Sequence, residues 1–267
     1  HETAAAQVAA DRLGWPFELI SVASGDTSLV PFSANTSASR SAVEMGNSVA
    51  ITARSMRERL LALASQALEA DAADLEVSPA GAWVRGVPGR VIPLATLIGA
   101  AGLEVAELYQ PDGRRAHASG CHAAVVRLDL ETGAVSLDRY VIAHDIGRVI
   151  NPRLAEAQTH GAFAHGLGYA LFEEATYDGD GNLAGTFLDY QIPGAPELAV
   201  PPETLELETP ASSNPEGFRG AGEGGTIPVP AAMAAAIEDC ARRMGVELSI
   251  TDLPITPGRL FEARAGR

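Results

Sequence analysis

Apolar side chains follow helical spacing from His1 to Leu13, and Gly14 and Pro16 end that helix. The spacing returns from Ser41 to about Glu69, where Val43, Val49, Met56, Leu60, Leu63 and Leu68 share one side. It shortens to alternation over Phe17–Ala23, Leu75–Ser78, Ala82–Arg85 and Arg90–Ile92, which predicts strands. A short helix is expected over Leu94–Ala101. Cys121–Leu128 and Ala134–Ala143 are β-rich and flank the tight turn Glu131-Thr132-Gly133, so they predict a hairpin. Asn151-Pro152 opens a second long helix reaching Glu174, because proline at the first helical position lacks only an N–H that would be unpaired there. Gly185–Tyr190 reads as a strand and Pro193–Pro215 as irregular chain. Phe218–Gly225 reads as a glycine loop and Ile227–Met244 as the third long helix. Strands and helices alternate irregularly, which predicts an α+β fold with long helices packed on mixed sheets.

Composition narrows the function classes. With 46% apolar and 20% charged residues, the chain reads as soluble and globular. It holds no apolar run long enough to span a membrane and no signal-peptide pattern. A net charge of −15 would repel a polyanion, so no nucleic-acid partner is expected. All 19 basic residues are arginine, which excludes a Schiff-base or P-loop lysine. The two cysteines, Cys121 and Cys240, sit in no CxxC pattern and read as reduced, buried thiols. Asp178-Gly179-Asp180-Gly181 is a turn; it lacks the glutamate that completes a calcium loop, with Asp189 in its place.

Four segments could carry chemistry. Phe218 to Pro228 sets one carboxylate, Glu223, among glycines just before a helix; taken alone, it reads equally well as a flexible loop. Ser33 to Ser41 gathers hydroxyls, N–H groups and Arg40 at a helix start, a phosphate-holding arrangement, although a serine-rich cap is the plainer reading of that segment by itself. Ala157 to Gly168 places three glycines inside a helix, each costing about 1 kcal/mol relative to alanine. Such glycines mark close packing against a helix or a ligand, and Gln158 and His165 fall on one face of that helix. His144 to Pro152 reads as a turn with Asn151 as helix cap.

In this order and spacing the segments resemble the molybdenum hydroxylases: xanthine dehydrogenase, aldehyde oxidase and aerobic carbon monoxide dehydrogenase. The matching stretches are His1-Glu2-Thr3, Gly25-Asp26-Thr27, Ala38-Ser39-Arg40-Ser41, His144 to Pro152, Gln158 to Gly168, Leu188-Asp189-Tyr190, Gly222-Glu223-Gly224-Gly225 and Ile250 to Pro257. They cover nearly the whole chain and resemble the C-terminal half of the molybdopterin-binding large subunit.

The resemblance implies two interlocked α/β subdomains, residues 1–106 with the cofactor-phosphate loop and 107–267 with the glycine-rich helix and the glutamate loop. It implies a molybdenum–pyranopterin cofactor, as molybdopterin or its cytosine dinucleotide, whose metal is held by the dithiolene and by no side chain. Glu223 then serves as the general base on the molybdenum-bound hydroxyl, with water as oxygen source. Ala38, Ser39, Arg40, Ser41, Gln158, His165, Arg219, Ala221 and Gly222 line up with cofactor-binding positions. His165 departs from the glutamine, and Arg219 from the lysine, that many members carry. The implied partners are the N-terminal half of the molybdenum subunit, a 2Fe-2S subunit and an FAD subunit, in a dimer of the whole assembly, located in the cytoplasm. A Gly-Gln-Gly segment is expected just before the position of His1, and the residues that choose the substrate mostly precede it. The alternative is a split piece that docks with a partner chain, exposes the apolar surface that partner covers, and is inactive alone.

Overall fold

The computed structural model describes residues 1–29, 35–87 and 89–264; Ser33 and Ala34 of the hydroxyl-rich segment lie outside them. The chain forms two compact units, residues 1–116 with 210–218 and residues 117–209 with 219–267. The expected division fell at 106/107 with a continuous second part; the observed first boundary is at 116/117, and 210–218 returns to the first unit.

The first unit holds α1 (Glu2–Leu13), α2 (Ser41–Leu68), α3 (Leu94–Ile98) and an antiparallel sheet of β1 (Leu75–Ser78), β2 (Gly81–Val84) and β3 (Val91–Ile92). Gly14 ends α1 in the left-handed conformation, φ 72°, where glycine carries no Cβ penalty. α2 buries Leu60, Ala64 and Leu68 against Leu75, Val77 and Ala82. Each buried leucine contributes roughly 2 kcal/mol of transfer energy. The strand expected over Phe17–Ala23 is absent: Phe17–Leu19 is a 3-10 turn, and Ile20 is extended but has no ladder partner among the described residues. The return segment places Glu216 in this unit, with its side chain only 1% exposed, between Arg12 and Arg54. Asn47 and Asn214, both buried, hydrogen-bond beside it at 3.1 Å, and Asn47 also accepts from the Glu216 N–H.

The second unit is built on a mixed sheet. β4 (Ser119–Leu128) pairs antiparallel with β5 (Val135–Asp145), which pairs parallel with β6 (Glu203–Leu207). Tyr140 and Ile142 on the inner face pack against Phe163 and Leu167 of α4 (Pro152–Leu171) and Met233 and Ile237 of α5 (Val229–Arg243). Asn151 caps α4 as expected, accepting the Leu154 N–H at 3.0 Å. α6 (Pro257–Arg264) adds Leu260 to this core and has no counterpart in the sequence reading.

Other expectations need correction here. Gly185–Tyr190 is not a strand, because the Asp189 carboxylate accepts from the Thr186 N–H and hydroxyl at 2.8 and 2.9 Å and folds the segment into a turn. The stretch read as irregular contains β6, which turns both its leucines, Leu205 and Leu207, outward beside Glu203. Both cysteines are free as expected, but neither is buried: Cys121 is exposed, since it lies on the outer face of β4, and Cys240 on α5 is half-buried. On that outer face Val125, Leu205 and Leu207 are each more than half exposed, and in the turn at Thr186–Asp189 Phe187 and Leu188 are almost wholly so. Among the described residues no helix is long and apolar enough to cross a membrane, and no cluster of side chains could hold a metal ion.

Candidate active site

In the first unit, Ala38 and Ser39 precede α2 with φ 52° and 53°. Two left-handed non-glycine residues in succession are strained by about 1 kcal/mol or more each, and such strain clusters where a loop serves a ligand. Arg40, the N-cap residue of α2, makes no side-chain capping bond, so the first-turn N–H groups and positive dipole end of α2 face the loop. Arg40 is partly engaged within the loop: Nη2 donates to the Asn35 side chain at 2.9 Å, and Nε lies 3.6 Å from Glu44. Its Nε is buried and makes no hydrogen bond. The Ser41 hydroxyl reaches Thr36 at 3.4 Å, and Thr36 lies 3.3 Å from the His1 ring.

In the second unit, Glu223 is exposed on the loop leading into α5, and its carbonyl accepts from the Thr226 and Ile227 N–H groups at 3.0 and 3.2 Å. α4 holds this loop at several points. Gln158 Nε2 donates to the Gly222 carbonyl at 2.9 Å, and the Thr226 hydroxyl donates to the Ala162 carbonyl at 2.6 Å. A Cβ on Gly225 would come within 2.9 Å of Ala162 Cβ and of the Thr159 carbonyl oxygen. The glycines of α4 divide by role. Gly166 admits Val229, since a Cβ there would lie 2.7 Å from the valine Cβ. Gly161 has nothing within 4 Å of where its Cβ would be. That open stretch of backbone lies on the exposed side of α4, together with Gln158 and His165. The His165 ring stacks edge-on against Tyr169 at 5.0 Å.

Arg219 works as a brace. Nε donates to the Thr209 carbonyl at 2.9 Å, Nη1 donates to the His117 carbonyl, and Asp145 lies 4.0 Å away. Burial opposes ionisation of Asp145, yet N–H donation from Thr209 and Gly147, helped by Arg219, holds its pKa below the usual range. Ala221 and Gly222 follow on the half-buried side of the loop.

Sequence reasoning missed Thr226 and the imidazoles beneath the glutamate loop. His144 is 2% exposed, and both its ring nitrogens are buried without a hydrogen bond. His122 lies on the same sheet face and meets the Tyr140 hydroxyl at 2.9 Å. Burial pushes the pKa of both histidines down; proximity to His144 adds to the effect at His122, while the Gly224 backbone opposes it there and Asp145 opposes it at His144. The signal was present, since His144 continues the every-second-residue burial of Tyr140 and Ile142.

The first unit thus carries a strained loop at a helix start, and the second a carboxylate loop stitched to a helix that is open at Gly161. The chain belongs to the family of molybdopterin cofactor-binding domains, whose model matches residues 1–199. Glu223 lies beyond that span, within similarities that cover all or nearly all of the chain. The nicotine 6-hydroxylase large subunit of Paenarthrobacter nicotinovorans is 35% identical over 280 residues, covering 100% of this chain and 34% of the relative. The carbon monoxide dehydrogenase large chain of Hydrogenophaga pseudoflava is 31% identical, covering 98% and 34%. The crystal structure of quinoline 2-oxidoreductase from Pseudomonas putida 86 superposes with a TM-score of 0.83 at 35% identity, covering 100% of this chain and 35% of that one. Carbon monoxide dehydrogenase from Oligotropha carboxidovorans gives 0.87 at 28%, covering 100% and 34%. The chain therefore spans about a third of the length of the relatives it matches.

Proposed function

We propose that this chain supplies the cofactor-phosphate loop and the general base of a molybdenum hydroxylase that oxidises a heterocycle or aldehyde with water as oxygen source. The observation that carries the reading is Glu223, an exposed carboxylate on a loop tied at Gly222, Gly225 and Thr226 to a helix whose outward face is bare at Gly161. The residues fit the cofactor. Gly161 leaves backbone open to a flat ring system, Gln158 and His165 bring polar groups to the same side, and the α2 start with Ser39, Arg40 and Ser41 suits a phosphate. When bound, the molybdenum–pyranopterin group supplies a two-electron acceptor.

Glu223 accepts the proton of the water-derived nucleophile, which is ordinary general-base catalysis. Gln158 holds the loop through the Gly222 carbonyl and so fixes where that carboxylate can reach. Likeness to a nicotine hydroxylase and a quinoline oxidoreductase supports the heterocycle arm of the substrate class. The short coverage of the relatives, with the exposed Val125, Leu205 and Leu207, supports assembly with the rest of a large subunit. Iron–sulfur and flavin groups on other chains or domains would supply the route by which the electrons leave.

The test is Glu223→Gln in the assembled protein. The amide keeps size and hydrogen bonding but takes no proton at neutral pH, so turnover should fall at least about 10²-fold. Molybdenum and pterin content should stay near one per complex. Turnover within twofold of the parent at full molybdenum content would refute the base.

A further inference from the structure

The glycine at 224 has a reason that lies in a neighbour rather than in its own backbone. It is absent from the positive-φ residues, so its conformation is open to any L-residue. A Cβ built there would collide with Nε2, Cε1 and Cδ2 of His144, and these are the three nearest atoms it would meet. The imidazole thus occupies the volume a side chain at 224 would need. Gly120 is the register partner of His144 on β4, and a Cβ there would meet His144 Cδ2 only in ordinary contact, at 3.6 Å, so the tight side of the ring is the one that faces Gly224. The ring is held tightly, yet neither nitrogen finds a partner, although a buried polar group without one is destabilising. An apolar ring would fill the space without that penalty. The groups around it are Asp145 on its own strand, His122 on β4, and Glu206, its register partner on β6, whose Oε1 is also buried without a hydrogen bond.

We propose that His144 is a positioning residue for Glu223: its ring is the seat on which Gly224 rests, and that seat sets where the preceding carboxylate stands. α4 fixes the loop at Gly222, Gly225 and Thr226, and His144 fixes the one residue between these ties that directly follows Glu223. The proposal rests on Glu223 being the base.

The test uses the assembled enzyme and four variants, His144→Ala, Gly224→Ala, the two combined, and Glu223→Gln. His144→Ala should lower kcat per molybdenum at least about tenfold with KM and molybdenum content within about twofold, because the carboxylate is displaced but the binding groups are not. Gly224→Ala should lower kcat similarly, and the same methyl added in the His144→Ala background should cost less than about twofold, since the collision is gone. Amide exchange at Thr226 and Ile227, whose N–H groups bond the Glu223 carbonyl, should quicken in His144→Ala whether or not substrate is present. Losses that simply add, or a fall in molybdenum content with kcat per molybdenum unchanged, would overturn the seat. If Glu223→Gln loses its rate while His144→Ala keeps both its rate and its exchange protection, the seat fails and the base stands. If Glu223→Gln keeps its rate, both fail.

Discussion

Glu216 and Glu223 stand close in sequence but in opposite surroundings. Glu216 belongs to the first unit, on its return segment, with its carboxylate 1% exposed between Arg12 and Arg54. Glu223 belongs to the second unit, exposed on a loop whose support comes from Gln158, Thr226 and the His144 ring. Burial disfavours the charge on Glu216, and the two guanidiniums outweigh it and hold its pKa below the usual carboxylate range. A carboxylate with two arginines committed to it is poorly suited to move a proton near neutral pH. Glu223 instead stands exposed to solvent on its loop. On the function proposed above, the same residue type serves stability in one place and chemistry in the other.

The largest expected break is Glu216→Ala. Removing one partner of a buried ion pair costs 3–5 kcal/mol, and the lower end, about 3, applies because Arg12 and Arg54 keep 21% and 40% side-chain exposure and can turn to water. Urea denaturation followed in the first unit reads this directly, and an unchanged midpoint would refute the role. Acid should act through the same group. A carboxylate with a lowered folded pKa contributes stability that is fully present above its unfolded pKa and is lost as pH falls through the folded value. In acid, therefore, the stability gap between the parent and Glu216→Ala should close.

Next in size is Arg40→Ala. A charge-assisted hydrogen bond is worth about 1.5–3 kcal/mol, and Arg40 already shares its guanidinium with Asn35 and Glu44, so the lower end is expected. Cofactor affinity should drop about tenfold, seen as partial molybdenum occupancy, with normal turnover per molybdenum. Full occupancy with a low rate would refute the phosphate-loop assignment. The smallest effect is on stability in Glu223→Gln. As an exposed substitution it should shift unfolding by no more than about 0.5 kcal/mol. A large loss there would erase the contrast with Glu216.

Much of this architecture was legible where one period ran long enough. The α2 helix, the β4–β5 hairpin and the Asn151 cap depend on local spacing and turn chemistry, and the structure has them. Phe17–Ala23 and Gly185–Tyr190 alternate too, but a strand needs a neighbour or a free backbone. One has no ladder partner among the described residues, and the other is folded by the Asp189 carboxylate. β6 was hidden for the opposite reason: it pairs in parallel with β5 and turns its leucines outward. Glu223 stood out through its glycines, whereas His144 read as part of a turn. What singles it out is a contact with Gly224 across a long separation in sequence, which no local pattern encodes.

The return segment also bears on how the chain comes off the ribosome. Domains commonly fold in the order they are made. Here Arg12 and Arg54 emerge well before the carboxylate that pairs them, which is at 216, after all of 117–209 has been synthesised. Of the two units, the one whose larger part is made first is therefore the one that must wait. Until residue 216 arrives, two guanidiniums sit without their shared anion, and the Asn47 amide lacks both Asn214 and the Glu216 N–H. A ribosome stalled anywhere before that point would hold a first unit that is built but not locked.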